Sequence, residues 1–162
     1  RTLDIYENTL NVLTNTPRSC TANFLLGHTD QGAIDIELAP ETMNIINPGK
    51  DVLSHANHFV DPKALDIIEP PNPRRYLSEF RHKQMENLLL KHKLLDVEKM
   101  NKILSNHDNY PQSICRHSDN SLPISQQTTT RTSMIMDLKE KSIWCSNGNP
   151  CENNFIEYSL NN

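Results

Sequence analysis

Within five positions the chain sets Ser54, His55, Asn57 and His58, then lands on Phe59 and Val60. An asparagine amide held at a strand end donates hydrogen bonds to a developing oxyanion, which is what an acyl-transfer site requires. The apolar lead-in Val52-Leu53 and the stop at Asp61-Pro62 predict a strand over 52–59. On that strand His55 and Asn57 share one face, and Ser54, Ala56 and His58 the other. The plainer alternative is a polar turn. His55 and His58 also form an H-x-x-H pair, but a strand points them to opposite faces, so no metal site is expected there.

Other reactive side chains read less sharply. The cysteines Cys20, Cys115, Cys145 and Cys151 lack the paired close spacing of a zinc site and are too few for a disulfide scaffold. Free thiols imply a reducing compartment, hence a cytoplasmic location, and neither metal nor cofactor is expected. Cys20, followed by Thr21, reads as a buried cysteine at the start of a strand. A Cys115/His117 pair resembles a thiol catalyst, yet residues two apart need a third group to fix their geometry. Asp35 and Glu37 alternate on one strand face, either as an acid pair or as its solvated side. The basic stretch Arg81 to Lys93 reads as the solvent face of a helix.

A net charge of -4 leaves no basic footprint for nucleic acid. No apolar run approaches the roughly 20 residues of a membrane span. A chain of 162 residues is long enough for one domain with a real core, despite a mean hydropathy of -0.62. It opens at Arg1 without an initiator methionine, which reads as a processed product or an excised part of a longer chain.

The elements that must position these residues follow from periodicity. Leu3, Tyr6, Leu10 and Leu13 predict an amphipathic helix over 2–15, closed by Pro17. Strands are expected over 21–28, 33–38 and 42–46, and 52–59 makes the fourth of a meander. Pro62, Pro70, Pro71 and Pro73 make 61–74 a rigid connector. A long helix over 75–92 should pack through Leu77, Phe80, Met85, Leu88 and Leu89. A shorter helix, Val97 to Leu104, takes Asp96 as its cap. After the polar stretch 112–127, strands return over 128–138, 142–145 and 154–160. Strands in a run and helices in a run argue for a layered α+β fold of mainly antiparallel sheets. The 21–38 and 130–145 hairpins are expected in stacked sheets, one of them covered by the 75–104 helices.

Several stretches in order resemble the C-terminal portion of the acyl-coenzyme A:6-aminopenicillanate (isopenicillin N) acyltransferase-like family, cysteine members of the N-terminal nucleophile hydrolases. They are Asn23-Phe24-Leu25-Leu26, Asp35-Ile36-Glu37 with Pro40, His55-Ala56-Asn57-His58-Phe59, and Arg75-Tyr76 leading to Leu88-Leu89. Ser113-Ile114-Cys115-Arg116-His117, Thr130 to Asp137, Gly148-Asn149-Pro150-Cys151 and Glu157-Tyr158 complete them. The resemblance implies part of an αββα sandwich and a precursor that cuts itself to expose an N-terminal cysteine. It implies Asn57 as an oxyanion donor and Arg116 as a cation near substrate or nucleophile, with His55, His58 and Phe59 lining the substrate site. The nucleophile itself is expected upstream of Arg1. On that reading the 162 residues are a single domain, the C-terminal part of a catalytic subunit inactive alone. Its partners are the N-terminal part of the same precursor and an acyl or amide small molecule, acyl-CoA included, with no nucleic acid or membrane. A sheet without its upstream neighbours should show an exposed edge or face. The alternative is a non-catalytic remnant that binds a ligand or partner.

Overall fold

The computed structural model describes residues 5–49 and 51–159, the side chains of Ile5 and Tyr6 excepted. The fold is α+β, with three α-helices and two antiparallel three-stranded sheets among the described residues. Helix α1 (Ile5–Asn15) occupies the described part of the first expected helix; Leu3 lies outside it. Strand β1 (Ala22–His28) pairs with β2 (Gly32–Leu38) from Ala22↔Leu38 to His28↔Gly32. Gly32 closes the hairpin at φ +81, a left-handed conformation that costs glycine nothing. Strand β3 (Met43–Ile46) adds to the other edge of β2.

The fourth strand expected over 52–59 does not form. A single bridge joins Gly49 to Val52, and beyond it the backbone turns to side chains. The N–H of Asn57 donates to Ser78 Oγ at 2.7 Å, that of Phe59 to Glu69 at 3.3 Å and that of Val60 to Glu37 at 2.6 Å. Every buried backbone group needs a partner, and here side-chain acceptors replace a ladder. The meander therefore has three strands.

That segment lies over one face of β2 and overturns a second expectation. Asp35 and Glu37 are not solvated: both are 0% exposed, as closed off as Ile36 and Leu38 on the opposite face. Cys20 departs the other way. It is exposed, two residues before Ala22, the first paired residue of β1.

Helix α2 (Arg75–Leu89) ends at Leu90, short of the expected 92. Of the expected apolar stripe Leu89 is buried and Leu77, Met85 and Leu88 are half-buried, but Phe80 stays 39% exposed while the polar Ser78 is buried. One turn on, at i+3 and i+4 from Ser78, stand Arg81 and His82. The helix thus meets the 54–60 segment through polar groups. Helix α3 (Val97–Leu104) starts as expected, with the Asp96 carboxylate accepting from the Lys99 N–H at 2.8 Å.

The second sheet orders β4 (Thr132–Asp137), β5 (Ser142–Asn147) and β6 (Ile156–Ser159) in sequence. Lys141, at φ 53, turns β4 into β5. Helix α3 contacts β4, and Ile103 and Ile135 are both buried. The other face bears two cross-strand rows, Met134–Cys145–Ile156 and Met136–Ile143–Tyr158. Met134, Met136, Ile156 and Tyr158 are each more than half exposed. Leu138 joins the two sheets: a Cβ on Gly27 of β1 would stand 3.0 Å from its Cδ1.

Candidate active site

The buried carboxylates of β2 hold the site from beneath. Glu37 Oε1 accepts the Val60 N–H and lies 2.8 Å from His55 Nε2. Asp35 Oδ1 accepts from Asn23 Nδ2 at 2.6 Å, while its Oδ2 sits 3.8 Å from the same His55 nitrogen. Burial raises the Asp35 carboxyl above its ordinary 3.8, against the opposing pull of Asn23 and His55. Asp35 Oδ2 and Glu37 Oε2 find no hydrogen-bond partner. Two acids in such a place are costly to fold around unless they organise something. What they organise is the His55 ring, which both approach, and the Val60 N–H, which Glu37 accepts.

Helix α2 grips the 54–60 segment from the other side. The Ser78 oxygen accepts the Asn57 N–H, so its hydroxyl proton is available to His58 Nδ1, 2.9 Å away. This suits a neutral His58, whose pKa is lowered by burial and then by His82 and Arg75 nearby. One turn along α2, Arg81 Nη2 donates to Asn57 Oδ1 at 2.7 Å. That bond fixes which way the amide faces and leaves its NH2 group as the donor toward another acceptor. Strand alternation misplaces the two histidines. Freed from a ladder, the rings of His55 and His58 lie stacked, centroids 6.3 Å apart.

Asn57 lines several adjoining cavities, two of about equal size. The first, about 310 Å³, is lined by Asn23, Glu37, His55, Asn57, His58 and Phe59 among others. The second, about 320 Å³, is lined by Asn57, Ser78, Arg74, Arg81 and Arg116. Arg116 reaches it from the 113–117 segment, whose backbone is tied down when its N–H donates to Thr130 Oγ1 at 2.9 Å. Its Nη1 lies 3.3 Å from Thr128 Oγ1, but its buried Nε has no partner. Among the described residues no carboxylate pairs with Arg81 or Arg116. Burial, then Arg116, lowers the Arg81 guanidinium to about 10; burial, then Arg74, lowers that of Arg116. A half-buried cation without a counter-charge favours an incoming anion.

The five candidates from sequence therefore converge. His55, Asn57, His58 and Phe59 share one cavity, and Arg116 lines the neighbour that Asn57 also lines. Sequence reasoning missed Ser78 and Arg81, and left Glu37 open between an acid pair and a solvated face. Arg81 was assigned to solvent, yet it holds the Asn57 amide; its i+3 spacing from Ser78 was the available signal. Side chains close enough together to hold a metal lie outside both linings, at His107, Cys115, His117 and Cys151.

A family model described as acyl-coenzyme A:6-aminopenicillanic acid acyl-transferase matches residues 5–152. Comparison with curated proteins returns no match. The matched span takes in every residue of both cavities. The chain belongs to the acyl-coenzyme A:6-aminopenicillanic acid acyl-transferase family.

Proposed function

We propose that this chain supplies the oxyanion donor and the anion-binding arginine of an N-terminal cysteine acyltransferase or amidohydrolase acting on amide bonds. The carrying observation is that Asn57 and Arg116 line one cavity while Arg81 fixes the Asn57 amide. In the reaction a cysteine sulfur, contributed by the part of the precursor that precedes this chain, bonds to the acyl carbon. The carbonyl π pair moves onto oxygen, and the Asn57 NH2 donates to that oxyanion. The thiol proton passes to the cysteine's own α-amine as the sulfur attacks; collapse then breaks the C–N bond, and that amine delivers the proton to the departing amine. Water or an acceptor amine then takes the acyl group from the thioester. Arg116, its Nε without a partner, faces the negative charge of the thiolate or of the substrate.

Two features support a missing layer. The Met134–Cys145–Ile156 and Met136–Ile143–Tyr158 rows present an open apolar sheet face, and Phe24 and Leu25 stay exposed on the edge strand β1. In this reading the upstream strands cover them and complete an αββα sandwich, to which the chain contributes one domain. The full-length protein, matured to a free N-terminal cysteine, should cleave or transfer amide-linked acyl groups, whereas residues 1–162 alone should be inert. Acyl-enzyme formed on the isolated chain, at any of its four cysteines, would overturn the assignment of the nucleophile. A full-length protein that binds acyl ligands but never forms a thioester would make the fold a binding module instead.

A further inference from the structure

We propose that His107, Cys115, His117 and Cys151 form a structural zinc site that anchors Arg116. One ligand atom from each residue lies within 4.8 Å of all the others. Four of the six edges between the ligand atoms are short enough for a tetrahedral site, and the two from His107 to the sulfurs lie within 4.8 Å. Zinc–sulfur bonds of about 2.3 Å and zinc–nitrogen bonds of about 2.0–2.1 Å give tetrahedral edges of about 3.8 Å (S–S), about 3.6 Å (S–N) and about 3.3 Å (N–N). Here Cys115 Sγ to Cys151 Sγ is 3.4 Å, and His117 Nε2 lies 3.6 Å from the first sulfur and 3.3 Å from the second. His107 Nε2 to His117 Nε2 is 3.1 Å. Each of these four edges falls within a few tenths of an ångström of its tetrahedral value. Two thiolates and two imidazoles in that geometry select zinc over the oxygen-seeking cations.

Supporting groups surround the four donors as they do in zinc sites. Asn149, buried, donates from Nδ2 to Cys115 Sγ at 3.4 Å and to the Arg116 carbonyl at 2.7 Å. Glu152 Oε1 lies 3.7 Å from His117 Nδ1, the nitrogen away from the cluster, where a carboxylate would orient a metal-bound imidazole. Four protein donors leave no open position, which marks a structural rather than a hydrolytic centre. The ion would tie the end of α3, the 113–117 segment and the loop after β5 into one unit. Arg116 sits between two of the ligands, so that unit would hold its backbone at the cavity.

The test uses the full-length protein, purified under reductant and assayed for metal by mass spectrometry. One zinc per chain is expected, and cobalt(II) substitution should give sulfur-to-metal charge transfer with the intense visible bands of a tetrahedral ion. Cys151 is exposed, so Cys151→Ser removes a ligand without opening the core, and it should weaken zinc binding by more than about 100-fold. Asn149→Ala should weaken it by roughly 10–100-fold as a supporting-shell change. Cys145→Ser, in β5 and outside the cluster, should bind as the parent does. Absence of zinc from reduced protein that also refuses cobalt would overturn the site. So would a Cys115–Cys151 disulfide in metal-free protein isolated without added oxidant, or equal affinity in a folded Cys151→Ser variant.

Discussion

The two residues proposed to meet the substrate are anchored by opposite chemistries. Asn57 hangs from oxygen: the Glu37 carboxylate under Val60 and His55, and the Ser78 hydroxyl under its own N–H. Arg116 is set among sulfur and imidazole, flanked by Cys115 and His117, with Asn149 on its carbonyl. Each anchor is long-range and neither is apolar. The contrast shows how a loop residue acquires a fixed direction without belonging to a strand or helix. It also means that the two halves of the site should fail under different insults.

The sharpest way to separate anchor from chemistry is Asn57→Ala in the complete enzyme. Losing one oxyanion donor lowers kcat by about 10²–10³-fold, roughly 2.7–4 kcal/mol of barrier. The Asn57 N–H that binds Ser78 belongs to the backbone and survives the substitution, and only the exposed Arg81 bond to Oδ1 is lost, so the melting temperature should fall only slightly. A variant with near-parental kcat would remove Asn57 from the mechanism. A markedly lower melting temperature with activity tracking the folded fraction would make it a structural asparagine.

Arg116→Met should act in the same direction on activity and in the other on stability. A hydrogen bond to a charged group contributes about 1.5–3 kcal/mol, so turnover should fall by roughly 10–150-fold. Burial already lowers the Arg116 pKa and its Nε has no partner, so an apolar replacement of similar length should leave the fold as stable or more so. Clear destabilisation would mean that the guanidinium holds the loop rather than awaiting an anion.

How much of this was legible beforehand depends on the range of the interaction. Asn57 stands out as an amide where an apolar run ends, whereas Arg116, in the polar stretch 112–127, is marked only by the family resemblance. The hairpins, both later helices and the Asp96 cap follow from patterns spanning a few residues. What stayed hidden were partners 21 to 24 positions apart, such as Ser78 under Asn57, Glu37 under Val60 and Arg81 on the Asn57 amide. Without those partners 52–59 reads as a strand, since apolar residues followed by alternating polar ones suit a sheet equally well. Glu37 likewise reads as solvated until a segment is known to cover it. The Cys/His cluster escaped for the same reason: Cys151 is 34 to 36 residues from His117 and Cys115, far outside any short zinc motif.

On the Asn57 side, Glu37→Gln should keep the shape but lose the charged acceptor of the Val60 N–H, costing about 1–3 kcal/mol of stability. Hydrogen exchange should quicken at the amides of Asn57 and Val60 before it does at those of Cys115 to His117. Uniform loosening of both segments would break the idea of independent anchors.

The smallest effect expected is one of pH, and it too falls on the Asn57 side. The His58 pKa is lowered from 6.5, first by burial and then by His82 and Arg75, with Glu79 pulling the other way. The folded chain therefore resists a proton that the unfolded chain accepts. Stability is fully present above 6.5 and is lost as pH falls toward the folded pKa, because there the unfolded state binds more protons. Asp35 carries the opposite sign. Raised from 3.8, it contributes stability below that value, which is lost as pH climbs to its folded pKa. The two windows start from different ends of the acid range, so the decline just below 6.5 belongs to His58. Protonation there puts a hydrogen on Nδ1, which can no longer accept the Ser78 hydroxyl, and the grip on the Asn57 N–H loosens with it. His58→Asn should flatten the stability profile just below 6.5. Ser78→Ala should keep most of that slope, since burial, its main cause, is unchanged, but should lower stability at every pH. An unchanged profile in His58→Asn would place the acid sensitivity elsewhere and leave Ser78 as a plain hydrogen-bonded serine.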